Sequence, residues 1–274
     1  MDLVAQYWPF VVGLLITGVC SGIAAGLLGI GGGAIIVPAL STALSLMGYD
    51  GDVVQHVAVG TSLAIIIPTG IVSARSHYKR GALDIATLKL WVPFIVAGTF
   101  IGGLVAGYFS GNVLRIVFAF MAFLIAANII FAFQTRLMGH LKGSALTHRI
   151  SASVVGFISA LMGIGGGSLS VLTLVAFGAT MHAAVGTSAA IGVAIAVSGT
   201  LGFVISGWGA EGLPPLSLGY INLVAMLLVA VLAAVFAPMG AALAHKLNQQ
   251  TLKYVFAGFL VLVGLNMLWK VLAG

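Results

Sequence analysis

Six segments of about twenty residues, at 53–73, 88–109, 113–133, 183–205, 220–242 and 252–273, are apolar almost throughout. A run of that length spans the hydrocarbon of a bilayer as one helix. An unpaired amide in lipid is so costly that a single segment has no other way to cross. The rest of the chain gives little reason for a water-soluble alternative: 61% of its 274 residues are hydrophobic and 6% are charged. A soluble domain carries roughly 25% charged residues. The expected fold class is therefore an all-α polytopic membrane protein. Two further regions, 9–47 and 150–178, are apolar but interrupted by glycine runs.

Those glycine runs reveal a duplication. Gly29-Ile30-Gly31-Gly32-Gly33 recurs as Gly163-Ile164-Gly165-Gly166-Gly167, and His56-x-x-Val59-Gly60-Thr61-Ser62 recurs as His182-x-x-Val185-Gly186-Thr187-Ser188. Leu114-Arg115-x-Val117-Phe118-Ala119 recurs as Leu252-Lys253-x-Val255-Phe256-Ala257, with Asn128 matching Asn266. Three matches in the same order mark two repeats: an N-terminal repeat at 1–134 and a C-terminal one at 150–274, joined by a basic linker at 135–149.

The net charge of +6 reflects loops rather than a nucleic-acid surface, and no nucleic-acid partner is expected. Arg75, Lys79, Arg80 and Lys89 crowd the loop at 75–89, whereas its counterpart at 206–219 has no Lys or Arg and carries Glu211. Equivalent loops of opposite bias belong on opposite sides of the membrane. The linker, with Arg136, Lys142 and Arg149, and the loop at 245–253 are also basic, and all three basic loops are assigned to the cytoplasm. The repeats are then inverted in topology, a common plan among secondary transporters. Parity makes each glycine-broken pair, re-entrant or short, contribute zero or two crossings before the three transmembrane helices that follow it. About 13 and 12 residues flank the second glycine run, so a re-entrant hairpin fits better, and both termini fall in the periplasm.

Three glycines in succession interrupt a helix and bare its backbone, which survives at membrane depth only when buried in protein or lining a cavity. Helices restarting at Ala34 and Ser168 would aim free N–H groups and a positive dipole end at that cavity, a setting suited to an anion. Gly31, Gly32, Gly33, Ala34, Gly165, Gly166, Gly167 and Ser168 are thus candidate substrate-binding residues; close helix packing is the competing role. Thr61, Ser62, Thr187 and Ser188 are candidates too, as donors to an anion or as sodium ligands, unless they bond to carbonyls one turn back. His56 and His182 are candidates for gating or proton coupling, because the long apolar runs hold no carboxylate. Helical spacing turns His56 away from Thr61 and Ser62, so the helix breaks near Gly60 or the histidine packs, caps or gates separately. Asn128 and Asn266 are expected to bond between helices, Arg115 and Lys253 to reach the interface, and Cys20 to pack as a small apolar residue.

Gly26-Leu27-Leu28-Gly29-Ile30-Gly31-Gly32-Gly33, followed by Pro38 and by the duplicated His-x-x-Val-Gly-Thr-Ser, resembles the signature of the sulfite exporter TauE/SafE family, also called the 4-toluene sulfonate uptake permease family. The resemblance runs from Gly26 to Asn266. It implies transport of a small sulfur-containing anion, sulfite or an organosulfonate such as sulfoacetate, across the bacterial inner membrane. An anion channel with the glycine loops as its filter is the alternative. The other partners expected are the lipid bilayer and a coupling ion, H+ or Na+, with room left for a homodimer. No enzymatic activity, cofactor or metal site is expected, since no base, nucleophile or ligand cluster stands out.

Overall fold

The computed structural model of the chain describes residues 2–28, 32–131, 143–244 and 249–273. Within them run α1 (Asp2–Leu28), α2 (Gly33–Leu46), α3 (Gly51–Lys79), α4 (Ile85–Ala106) and α5 (Gly111–Phe131). Then come α6 (Ala145–Met162), α7 (Gly167–Ala176) and α8 (Met181–Ser206). A two-stranded ribbon, β1 (Ser217–Leu218) antiparallel to β2 (Ile221–Asn222), precedes α9 (Leu223–Ala244) and α10 (Gln249–Ala273). Seven of these helices are long and apolar enough to cross a membrane. The chain is thus a nearly all-helical, multi-pass membrane protein.

Water-exposed helix starts carry side-chain caps, and the two glycine-run starts do not. Asp50, Asp84, Ser144 and Thr180 accept from first-turn amides of α3, α4, α6 and α8. Gly32 and Gly166, the N-caps of α2 and α7, sit at φ 73° and 68° and have no side-chain cap bond. That left-handed conformation costs a glycine little and any residue with a Cβ roughly 1–2 kcal/mol.

The second glycine run turns a helical hairpin. His148, near the start of α6, stacks on Phe177 at the end of α7 with ring centroids 3.9 Å apart. The Trp91 indole N–H on α4 donates to His148 Nδ1 at 2.9 Å. The hairpin therefore leaves on the side it enters. Its arms are unequal: α6 has 18 residues and α7 has 10, where the sequence suggested near-equal halves. In the first half α2 likewise runs back along α1, with Gly32 beside Ser21 and Gly13 beside Ala43.

Helix packing follows the small residues, because lipid gives helices no hydrophobic reason to associate and close backbone approach must hold them. A methyl on Gly22 of α1 would lie 2.8 Å from the Ala233 Cα of α9. One on Gly156 of α6 would lie 2.6 Å from the Ile95 carbonyl of α4. Gly240 meets Ile23, and Gly102 meets Phe157. The first of these contacts is the counterpart of the second across the sequence duplication, and the third is the counterpart of the fourth. Central α3 and α8, also duplicates, pack antiparallel: Gly60 touches Phe203, Leu63 touches Gly199 and Gly70 touches Val193. Helix α3 is continuous through Gly60, so the break considered there is absent.

Two single residues depart from expectation. Arg115 does not extend to an interface but is 6% exposed. It donates to the Gly51 carbonyl at 2.7 Å and to Asn112 Oδ1 at 2.8 Å, because these backbone and side-chain oxygens at the start of α3 and α5 lie nearer than water. Cys20 is exposed rather than packed, since α1 turns its glycines, not this residue, toward α9. The side chain of Lys253 and linker residues 132–142 lie outside the described part.

Candidate functional site

The two hairpin tips meet halfway along α3 and α8. A methyl on Gly33 would sit 2.8 Å from the Gly163 carbonyl oxygen and 3.1 Å from Ile66, near the middle of α3. Gly163 lies against Val59, and the Gly165 carbonyl approaches Gly192 at the middle of α8. Ser62 Oγ donates to the Gly163 carbonyl at 2.7 Å, tying α3 to the tip of the other half's hairpin. Gly29–Gly31 lie outside the described residues, so the first tip is seen from Gly32 onward.

A cavity of about 440 Å³ opens at this depth. Gly165, Gly167, Ser188 and Gly192 form part of its wall, and Thr69, Ser73, Ser76, His77 and Arg80 of α3 line it as well. Those α3 positions recur every three to four residues, which puts them on one helix face. Alanines of α9, at 233, 234 and 237, with Pro238, make an apolar wall. The cavity thus grades from bare backbone at the hairpin tip through neutral hydroxyls to a cationic rim at Arg80.

Behind the backbone wall, three buried hydroxyls cluster on the second hairpin. Ser159, Ser168 and Ser170 have no hydrogen-bond partner, and Ser159 and Ser170 both lie against Gly166, 3.3 Å from where its methyl would be. The first-turn amides of α7 have no intrahelical acceptor, and no side chain caps them. Unspent donors at a helix N-terminus form a binding site for negative charge.

The remaining sequence candidates divide. Ala34 is buried in the first turn of α2. Ser188 lines the cavity while donating to the Val185 carbonyl at 2.9 Å. Thr61 and Thr187 are spent elsewhere: Thr61 Oγ1 accepts the Asn222 amide and Thr187 Oγ1 the Asp84 amide, each at 2.9 Å. Each threonine therefore pins the segment leading into a crossing helix of the opposite half. The duplicated histidines have diverged. His182 is exposed, whereas His56 is 3% exposed, its Nδ1 2.6 Å from the Asp52 carbonyl and its Nε2 2.9 Å from the Ala106 carbonyl. It packs on Tyr220, whose phenol is pushed up in pKa by burial and then by the Asp52 carboxylate. Neither Arg75 nor Arg149 turns inward; Arg149 is exposed and lies over the Phe94 ring, and Arg75 does not line the cavity.

Sequence reading missed the α3 stripe and the Ser159 and Ser170 hydroxyls. The signal for the stripe was present, as Thr69, Ser73, Ser76 or His77, and Arg80 follow a helical period into a basic loop. The serines gave none, being single hydroxyls in apolar sequence.

A multi-pass helical bundle with broken-helix turns at mid-depth and a polar cavity leading to them has the build of a membrane transporter. The chain belongs to the sulfite exporter TauE/SafE family, whose match covers residues 14–267. It is 34% identical to a "Probable membrane transporter protein" of Haemophilus influenzae over 96% of this chain and 100% of that one. It is 28% identical to "Probable membrane transporter protein YunE" of Bacillus subtilis, covering 94% and 97% of the two chains. A further probable membrane transporter protein, from Methanocaldococcus jannaschii, is 27% identical over 93% of this chain and 94% of its own. No solved structure matches the chain.

Proposed function

We propose that the protein is a secondary transporter of a small sulfur-containing anion, sulfite or an organosulfonate such as sulfoacetate, across the bacterial inner membrane. The observation that carries this reading is the cavity running from Arg80 to the uncapped start of α7, where Ser168 holds an unpaired hydroxyl. The anion enters past Arg80 and His77 and follows the α3 hydroxyls. Its oxygens then accept from the amides of Gly167 and Ser168. No carboxylate stands among the cavity-lining residues to repel it. The alanine wall of α9 accommodates whatever organic part the anion carries.

The packing supports a carrier rather than an open pore. Beyond the glycine tips, Leu63 closes on Gly199, and Gly60 on Phe203 and the Tyr220 carbonyl. The antiparallel contact of α3 with α8 supports inverted repeats related by an axis in the membrane plane, which is the geometry of alternating access. Basic residues at the cavity mouth favour a cytoplasmic mouth and periplasmic termini.

Flux through purified protein in liposomes, measured with sulfite, thiosulfate, sulfate, taurine, sulfoacetate and aromatic sulfonates, tests the proposal. Saturable flux of at least one sulfur anion, abolished by Gly166→Leu in protein that still inserts, is the expected result. Non-saturating conductance would overturn the carrier, and wild-type flux in Gly166→Leu would overturn the glycine site.

A further inference from the structure

Away from that cavity, α1, α2 and α10 enclose a groove of about 720 Å³. Ile16, Leu46, Phe259 and Leu262 supply apolar walls, while Thr42 and Asn266 supply polar ones. Phe259, Leu262, Asn266 and Lys270 follow a helical period along one face of α10. Lys270 closes the groove, its Nζ donating to Thr42 Oγ1 at 3.4 Å.

Lys270 has no carboxylate partner among the described residues. The acids near this end of the molecule are engaged: Asp50 Oδ1 accepts the Asp52 amide at 2.8 Å, and Asp52 Oδ1 accepts the Gly111 amide at 2.6 Å. A second cation, Arg115, is buried with its Nε unpaired. An unneutralised cation at the end of an apolar trough calls for an anionic amphiphile.

The dimensions agree with a lipid. From Phe259 to Lys270 the helix rises about 17 Å, close to the roughly 15 Å half-thickness of the bilayer hydrocarbon. Trp269, 70% exposed beside Lys270, marks the head-group level, where tryptophan collects. Leu262 is 68% exposed, so the trough faces outward where a lipid chain can enter.

We infer that this groove binds one anionic membrane phospholipid, with an acyl chain along α10 between Ala39 and Leu262 and its phosphate on Lys270 and Thr42. The inference is independent of which anion the protein transports.

The test is native mass spectrometry of the full chain in detergent, titrated with phosphatidylglycerol and, separately, with phosphatidylcholine. Wild type is expected to prefer phosphatidylglycerol about fivefold, the contribution of one basic residue near an anionic surface. Lys270→Gln is expected to erase that preference while still binding both lipids. Ala43→Phe, which fills the trough, is expected to lower binding of both. Equal affinity of wild type for the two lipids, or an undiminished preference in Lys270→Gln, overturns the inference. So does a dimeric wild type that Ala43→Phe renders monomeric, since a second copy would then be the occupant.

Discussion

At the scale of single residues, what matters is which hydrogen-bonding groups are spent and which are left over. Thr61, Ser62 and Thr187 are spent on backbone groups of the opposite half, whereas Ser159, Ser168 and Ser170 are left over around Gly166. Replacing Ser168 with alanine is expected to lower the affinity of anion transport at least tenfold, since a removed donor to a charged group is worth about 1.5–3 kcal/mol. Thermal unfolding of the variant in detergent is expected to change little, because hydroxyls without partners contribute nothing to hold the fold. A titratable cap offers a second check. The Thr87 hydroxyl, then the Thr87 amide, hold the Asp84 carboxyl below its ordinary range. Its folded-state pKa is depressed, so the stabilisation it gives α4 is complete above the usual carboxylate range and fades as the pH falls through the folded value. Thr87→Val is expected to shift that acid-side loss to higher pH in thermal unfolding followed by circular dichroism, and Asp84→Asn to abolish it.

At the scale of elements, α3 does several jobs along one length. Its first turns anchor His56 and the Gly51 carbonyl, its middle receives both glycine tips, and its last turns present the polar stripe to the cavity. An exposed cation at the mouth acts on encounter more than on final affinity, and salt screens it. Arg80→Gln is therefore expected to slow anion uptake roughly three- to tenfold at low ionic strength. The deficit should shrink at high salt; a deficit independent of salt would mean that Arg80 binds the anion directly. The duplication and the glycine hairpins were legible in sequence because three glycines in an apolar run break a helix where nothing polar would otherwise interrupt it. The unequal lengths of α6 and α7 were not, since the apolar sequence continues evenly past both helix ends and only the stacking of His148 on Phe177 fixes where the hairpin returns.

At the scale of the whole molecule, the two halves grip one another through contacts that match across the duplication, yet only one end of the α3–α8 interface carries the polar stripe and the cationic rim. The equivalents of Thr69, Ser73, His77 and Arg80 in α8 are Ile195, Gly199, Phe203 and Ser206, which pack rather than open. Alternating access, as proposed, would part Leu63 from Gly199. Leu63→Cys with Gly199→Cys, in a Cys20→Ser background, is expected to lose most flux on oxidation and regain it on reduction. Unchanged flux in the cross-linked protein would show that this contact does not open. The sequence by itself determined the membrane class, the duplication and the position of the helix-breaking turns, because hydrophobic length, repetition and glycine runs are local properties of the chain. Tertiary structure decided which polar groups face the cavity and which are consumed in holding the halves together. Thr61 and Ser168 look alike in sequence, and they differ only in whether a distant segment comes near enough to pair with their hydroxyls.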